Sequence, residues 1–487
     1  MSLSSSTVVL LWALLALAAS VRSQADPGNG DNSATCPTQS QFFDQVIDHS
    51  QNSSHTFKQQ YRLNTTTFKE GGPILFYQSP ETANLSCADK TVLADWAQEL
   101  GGMVVTLEHR YFGLSLPFGN ESYTTENLQY FTLENVMADA VTFMDIVKKN
   151  VTGAEASKVI VVGGSYGGLL SAVFRQNYPD TFFGAWSVAG PFRGFGDADE
   201  AGPEAFNWFN YAQNIYARRS LESFTRINDS FSQVYSWLDS GSGGTLQKSL
   251  SLCSPPSNSS TDRTTLIAWL TSAYVKLAQL NHLPKAFYNV TGPTLDTVIN
   301  DTLSAGSPIA AMNETLWHAY GLLAPNGCLN YTVSSDSSLG VETIPFTWVN
   351  CKWYPQNFAL GTNTIFGQGL TPTPSNPSTV CAEMFNTTQV TGAEVHSKYK
   401  ITQQDFANST RIIFSEGEYD PTTSISMPQS WLGDVVGTDV QKSVVIMING
   451  IGHGQDVEPT DLDPPSVVAA RNVELNIIRG WLNVSAT

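Results

Sequence analysis

Four consecutive strand-forming residues, Val159-Ile160-Val161-Val162, lead into Gly163-Gly164-Ser165-Tyr166-Gly167, and a helix-like stretch follows from Leu169 to Tyr178. Few folds accept that succession. A run with no polar face implies a strand covered on both sides of a sheet. The glycines permit a turn so sharp that strand and helix nearly touch. The serine at its apex is then held in a strained conformation with its hydroxyl exposed. A serine so placed reads as a nucleophile, Ser165.

The rest of the chain supplies the sheet. Gly72 to Tyr77, Gly102 to Glu108, Gly184 to Val188, Arg411 to Phe414 and Ser443 to Ile448 are further short apolar runs. Helix-like stretches, Thr91 to Leu100 and Leu133 to Val147 among them, lie between most of them. That alternation predicts an α/β protein with a mostly parallel sheet covered on both faces. Between Val188 and Arg411 the rhythm stops. Glu204 to Leu221, Ser230 to Leu238, Thr264 to Leu280 and Pro308 to Leu322 read as helices joined by Gly/Ser/Pro-rich connections. The expected organisation is a leader over 1–23, a first part of the sheet unit over 24–193, a mainly helical insertion over 194–405 and a second part over 406–487. An insertion over the strands' carboxyl ends forms a cap that shapes a cleft.

A nucleophilic serine needs a base, and the base needs an orienting acid. In the fold that uses such a turn, acid and histidine follow late strands in the order Ser, Asp or Glu, His. Of seven histidines, His453 alone stands in that place, after Val444 to Ile448 and the loop Asn449-Gly450-Ile451-Gly452. One strand earlier, Ser415-Glu416-Gly417-Glu418-Tyr419-Asp420-Pro421 offers Asp420 as the acid, with Glu418 and Asp456 as competitors. The expected triad is Ser165, Asp420 and His453. His109, beside Glu108 and Arg110, ends an early strand and is expected to be structural, with Glu108 and Arg110 making hydrogen bonds that order the nearby loops.

Val8 to Ala19 has the length of a secretory signal and is too short to span a bilayer, with cleavage expected after Ser23. Asn-x-Ser/Thr sites recur from Asn52 to Asn483, as on a surface adapted to N-linked glycans. Six cysteines suit an oxidising route, and sequence alone leaves their pairing open. The expected localisation is therefore secreted, or a vacuolar or lysosomal lumen. A net charge of −18 argues against nucleic acid or an anionic membrane as partner and favours an acidic setting. No motif calls for a metal or another cofactor, so none is expected.

The run Leu107-Glu108-His109-Arg110-Tyr111-Phe112-Gly113-Leu114-Ser115-Leu116-Pro117-Phe118-Gly119 resembles the signature of the lysosomal Pro-X carboxypeptidase and dipeptidyl peptidase II family of serine peptidases. In character the chain is nearest to that family's secreted fungal acid prolyl peptidases. The resemblance continues through Gly163 to Gly168, Asn177-Tyr178-Pro179, Gly417-x-x-Asp420-Pro421 and His453. It implies an α/β-hydrolase fold with a large, mainly helical cap inserted between core strands. It also implies hydrolysis of peptide bonds on the carboxyl side of proline, often at acid pH, with Ser165, Asp420 and His453 in the triad positions. The oxyanion donors it implies are the backbone N–H of Tyr166 and one from the loop Ser79-Pro80-Glu81-Thr82, where relatives carry Gly-Asn-Glu-Gly. Pro80 has no N–H, so Ser79 or its neighbour Glu81 must serve. Glu81 matches a glutamate that holds substrate amino termini, Thr422 stands where relatives have a pocket tryptophan, and Trp348 begins the family's Trp-x-x-Cys, followed here by Lys352-Trp353. The rival readings are a secreted esterase or lipase of the same fold, and a hydrolase-like binding protein without catalysis.

Overall fold

The computed structural model describes residues 36–51, 54–281, 292–324, 326–332, 340–370, 377–432, 441–458 and 463–483. The expected leader, His282 and the sequons at Asn52 and Asn289 lie outside them. Among the described residues one eight-stranded sheet is formed: β1 (Gln41–Val46), β2 (Thr56–Asn64), β3 (Ile74–Gln78), β4 (Met103–Leu107), β5 (Val159–Gly164), β6 (Phe182–Val188), β7 (Ile412–Gly417) and β8 (Val444–Ile448). Their spatial order is β1-β2-β4-β3-β5-β6-β7-β8. β1 with β2 and β2 with β4 pair antiparallel, and every later pair is parallel. β3 and β4 are buried at every position, as their apolar runs require. β1 and β2 mix polar with apolar residues and alternate among buried, half-buried and exposed positions, so no apolar run announces them.

Helices cover both faces. On one face lie α2 (Leu133–Asn150) and α3 (Tyr166–Asn177), with Val136, Phe143, Leu170 and Phe174 packed on Phe76 and Val161. On the other lie α1 (Val92–Leu100) and, from the chain's end, α11 (Pro465–Leu482), with Leu93, Ile478 and Trp481 around Trp186. Trp96 stacks on Trp186 with ring centroids 4.5 Å apart, an arrangement that adds about 1 kcal/mol to the burial of two large rings. α1 is stopped by Gly101 in a left-handed C-cap, φ 62°, a conformation that Gly adopts without steric cost.

The long stretch between β6 and β7 holds α4 (Asn207–Arg219), α5 (Leu221–Asp239), α6 (Ser260–Gln279), α7 (Thr294–Ser304), α8 (Pro308–Tyr320), α9 (Gly340–Lys352) and α10 (Pro377–Phe385), along with shorter helices. It packs in two ways. α4 to α8 close around a hydrophobic core of their own, joined by Phe358, Ile365 and Phe366. α6 is its axis, buried on all sides from Leu266 to Gln279, as a helix surrounded by others must be. Trp348, Val349, Trp353, Phe385 and Tyr399 instead join the sheet's own core beside α2 and α3. This is an α/β-hydrolase fold with a helical cap. Cys36–Cys87 ties the chain's start to the loop before α1, Cys253–Cys328 closes a loop in the cap, and Cys351–Cys381 joins α9 to α10.

Candidate active site

Strands β3, β5, β7 and β8 run parallel, so the loops that follow them emerge on one side of the sheet. Ser165 sits at the end of β5 with φ 58° and ψ −125°, a region that costs a non-glycine residue about 1–3 kcal/mol. Its neighbours hold it there. The Ser165 N–H donates to Val188 O at 2.8 Å, and its carbonyl accepts from Gly168 and Leu169 in the first turn of α3. A Cβ on Gly163 would lie 2.1 Å from Gly167 O, so only glycine lets strand and helix come this close. Ser165 itself is half-buried.

Asp420 and His453 are brought together by the loops after β7 and β8. His453 Nδ1 lies 2.6 Å from Asp420 Oδ2, and both side chains are buried. Asp420 caps the short 3-10 turn Pro421–Ser424, its Oδ1 accepting from Thr422 N–H at 2.9 Å. Asp followed by Pro suits that position, because the aspartate accepts a turn N–H and proline needs none. One carboxylate oxygen thus holds the turn while the other meets the imidazole. The competing acids are placed differently. Glu418 Oε2 accepts from Gly450 N–H at 2.8 Å. Asp456 lies buried against Glu474. Burial holds Glu474 well above the usual carboxylate range, and Asp456 adds to it. Glu416, on β7, is likewise pushed up by burial, with Asp420 and Asp456 acting the same way.

The loop after β3 lies over the turn. A Cβ on Gly167 would be 3.3 Å from Gln78 O and 3.7 Å from Pro80 Cβ. The Ser79 N–H, however, donates to Leu107 O at 3.0 Å. The expectation at Ser79 is corrected accordingly, because its amide is committed to the sheet ladder. Glu81 is buried and within electrostatic reach of the Tyr166 and Tyr354 phenols.

Two residues expected to bind substrate have other partners. Thr422 places its hydroxyl 3.3 Å from His453 Nδ1. Trp348 is packed in the sheet's core with its Nε1–H donated to Phe131 O at 2.8 Å. Trp353 donates its Nε1–H to Tyr166 Oη at 2.9 Å. No local sequence signal marks that contact, which spans 187 residues.

The Glu108-His109-Arg110 run is a buried support, as expected. Arg110 makes two 2.6 Å bonds to Asp139 and donates to the carbonyls of Val46, Ile47 and Tyr130. Glu108 Oε2 accepts from Ser115 Oγ at 2.6 Å and Leu114 N–H at 3.0 Å. Burial nevertheless pushes Glu108 up to about 7. His109 donates from Nδ1 to Arg110 O at 2.8 Å, and its Nε2 meets Tyr166 Oη at 3.3 Å. Burial lowers it to about 4, so above that pH it is neutral and its Nε2 accepts a hydrogen bond from the Tyr166 hydroxyl.

The description "Serine carboxypeptidase S28" is that of a family model matching residues 45–474. The lysosomal Pro-X carboxypeptidase of Homo sapiens is 28% identical over 497 residues, covering 97% of this chain and 95% of its own. A putative serine protease of Caenorhabditis elegans, pcp-1, is 25% identical and covers 98% and 89%. Serine protease vicPb of Bipolaris victoriae is 25% identical over 90% and 88%. Among the described residues, no helix is long and apolar enough to cross a membrane. The match runs from β1 into α11, through the strained serine turn and the buried Asp–His pair, and the chain therefore belongs to the serine carboxypeptidase S28 family, as a serine peptidase.

Proposed function

We propose that this chain hydrolyses peptide bonds on the carboxyl side of proline through an acyl-enzyme on Ser165, with His453 as base and Asp420 as its orienting acid. The buried 2.6 Å contact between His453 Nδ1 and Asp420 Oδ2 carries the reading. A proton on Nδ1, donated to the carboxylate, selects the tautomer whose Nε2 can take a proton from the serine. Ser165 attacks the carbonyl carbon as its proton passes to Nε2. The tetrahedral oxyanion is met by the Tyr166 N–H at the start of α3 and by the Glu81 amide in the loop over the turn. His453 then protonates the departing amine. Water, deprotonated by the same nitrogen, attacks the ester and returns Ser165.

Proline preference is supported by the relatives that are Pro-X carboxypeptidases. Near the turn, the Tyr166 ring lies 5.8 Å from Phe346 and 5.6 Å from Tyr354. These apolar faces suit a pyrrolidine ring, and Glu81, by its match to the family's glutamate, is the group to meet a substrate amino terminus. A secreted or lysosomal glycoprotein is supported by the apolar stretch Val8 to Ala19, by three disulfides, and by sequon asparagines none of which is buried among the described residues. Buried Glu108, Glu416 and Glu474 all favour protonation, in keeping with an acid lumen.

The test is mass-spectrometric mapping of a mixed peptide library with the wild type and Ser165→Ala, at about pH 4.5 and about pH 7, either side of an unperturbed histidine. Cuts after proline that disappear with Ser165 are expected. Ser165-dependent cuts after other residues would end the proline claim, and cuts that survive Ser165→Ala would end the assignment of the nucleophile.

A further inference from the structure

α6, the axis of the cap's core, ends against the loop that carries His453. The His453 N–H donates to Gln279 O, at the helix's last residue, over 2.7 Å. A Cβ on Gly452 would lie 2.3 Å from that same oxygen, so the loop can press against the helix end only with glycine there. The side chain of Gln279 makes a second connection. Its Nε2 lies 3.4 Å from Thr422 Oγ1, whose hydroxyl stands 3.3 Å from His453 Nδ1. Either orientation of the amide leaves the pair one donor and one acceptor. Gln279, Thr422, Asp420 and His453 are all buried.

We propose that Gln279 is a positioning residue for the His453 base, acting through Thr422; this rests on the reading of Ser165, Asp420 and His453 as the triad. An imidazole tied at Nδ1 to one carboxylate can still pivot about that bond. Thr422 gives the same nitrogen a second neighbour, and Gln279 holds Thr422 in place. The backbone bond meanwhile fixes where the ring departs from the chain. A misplacement of about 1 Å at a reacting group costs on the order of 100-fold in rate. The carbonyl end of a helix also carries partial negative charge, which suits a ring that becomes positive during the reaction. Because α6 belongs to the cap's own core, the base is aligned by the cap.

The experiment compares the wild-type chain with Gln279→Ala, Thr422→Val, Thr422→Ser, the double variant Gln279→Ala/Thr422→Val, and Ser165→Ala. It measures kcat and KM on one cleaved peptide, with thermal unfolding of each protein. Gln279→Ala should lower kcat by about tenfold or more with KM within about twofold, the pattern of a lost transition-state contribution. Thr422→Val should do the same, the double variant should be no worse than the poorer single one, and Thr422→Ser should recover kcat to within about threefold of wild type. A wild-type kcat in Gln279→Ala, or losses that multiply in the double variant, would overturn the proposal. Should Gln279→Ala not fold, equal kcat for Thr422→Val and Thr422→Ser would overturn it. Residual turnover in Ser165→Ala would sink the triad reading itself. An inactive Ser165→Ala beside a fully active Gln279→Ala would sink only the role of Gln279.

Discussion

Replacing Glu108 by Gln should change how stability depends on pH, by an amount the structure sets. Burial outweighs the hydrogen bonds from Ser115 and Leu114 and pushes Glu108 from 4.5 to about 7. The folded protein therefore keeps a proton that the unfolded chain releases near pH 4.5. The resulting stability is complete below 4.5 and is lost as pH rises through 7. At 1.36 kcal/mol per pKa unit the loss is about 3 kcal/mol. A glutamine side chain in its place is isosteric with the protonated acid and cannot ionise, so the variant should gain about 3 kcal/mol relative to wild type between about pH 4.5 and pH 7. His109 acts in the opposite sense. Burial lowers it to about 4, so its stability is present above about 6.5 and is lost as pH falls towards 4. In the wild type the two neighbours offset each other between 4.5 and 6.5, and removing Glu108 should unmask the rise due to His109. Glu416 and Glu474 contribute equally to both proteins and cancel in the difference. The assay is urea unfolding of wild type and Glu108→Gln at about pH 4.5, 5.5, 6.5 and 7.5, a span chosen to bracket both groups. A difference that stays constant to within about 0.5 kcal/mol across that range would refute the argument, since Glu108 would then not titrate with folding.

Asp420→Asn should keep the fold and lower kcat by about 10³- to 10⁴-fold, because an amide at Oδ2 favours the wrong imidazole tautomer; steady-state kinetics with circular dichroism checks both halves. Asp139→Asn leaves the buried Arg110 guanidinium without its counter-ion and should destabilise by about 3–5 kcal/mol, read as a lower urea midpoint. Gly163→Ala forces a methyl group to within 2.1 Å of Gly167 O. It should open the turn at Ser165 and abolish labelling by a serine-directed phosphonate, even where soluble protein is recovered.

Much of the sheet was legible because a parallel strand buried on both faces must be apolar along its whole length. Val159 to Val162 carries that mark, and so do the runs at β3, β4 and β7. The glycines around Ser165 and the order of Ser165, Asp420 and His453 were legible for a related reason. A tight turn and a chain order are local properties, written where they act. β1 and β2 were not visible, since a strand with one face in water needs no continuous apolar run, and Gln41–Val46 has none. Periodicity also foretold helices between β6 and β7 without saying what they pack on. Only packing separated α6, inside the cap's own core, from Trp348 and Trp353, which joined the sheet's core.

The roles that changed between sequence and structure share one cause. Ser79 lost its expected task to a ladder bond with Leu107, and Thr422 turned to His453. Gln279, without any motif of its own, reached Thr422 across 143 residues of chain. Sequence determined which residues can be buried, which can turn sharply and which can do nucleophilic chemistry, because those depend on side-chain type and local backbone freedom. Tertiary structure alone decided the cysteine pairing, the oxygen that meets His453 and the helix that ends against its loop. These depend on the approach of segments far apart in the chain, and the free energy that selects it comes from packing two cores rather than from any one stretch of residues.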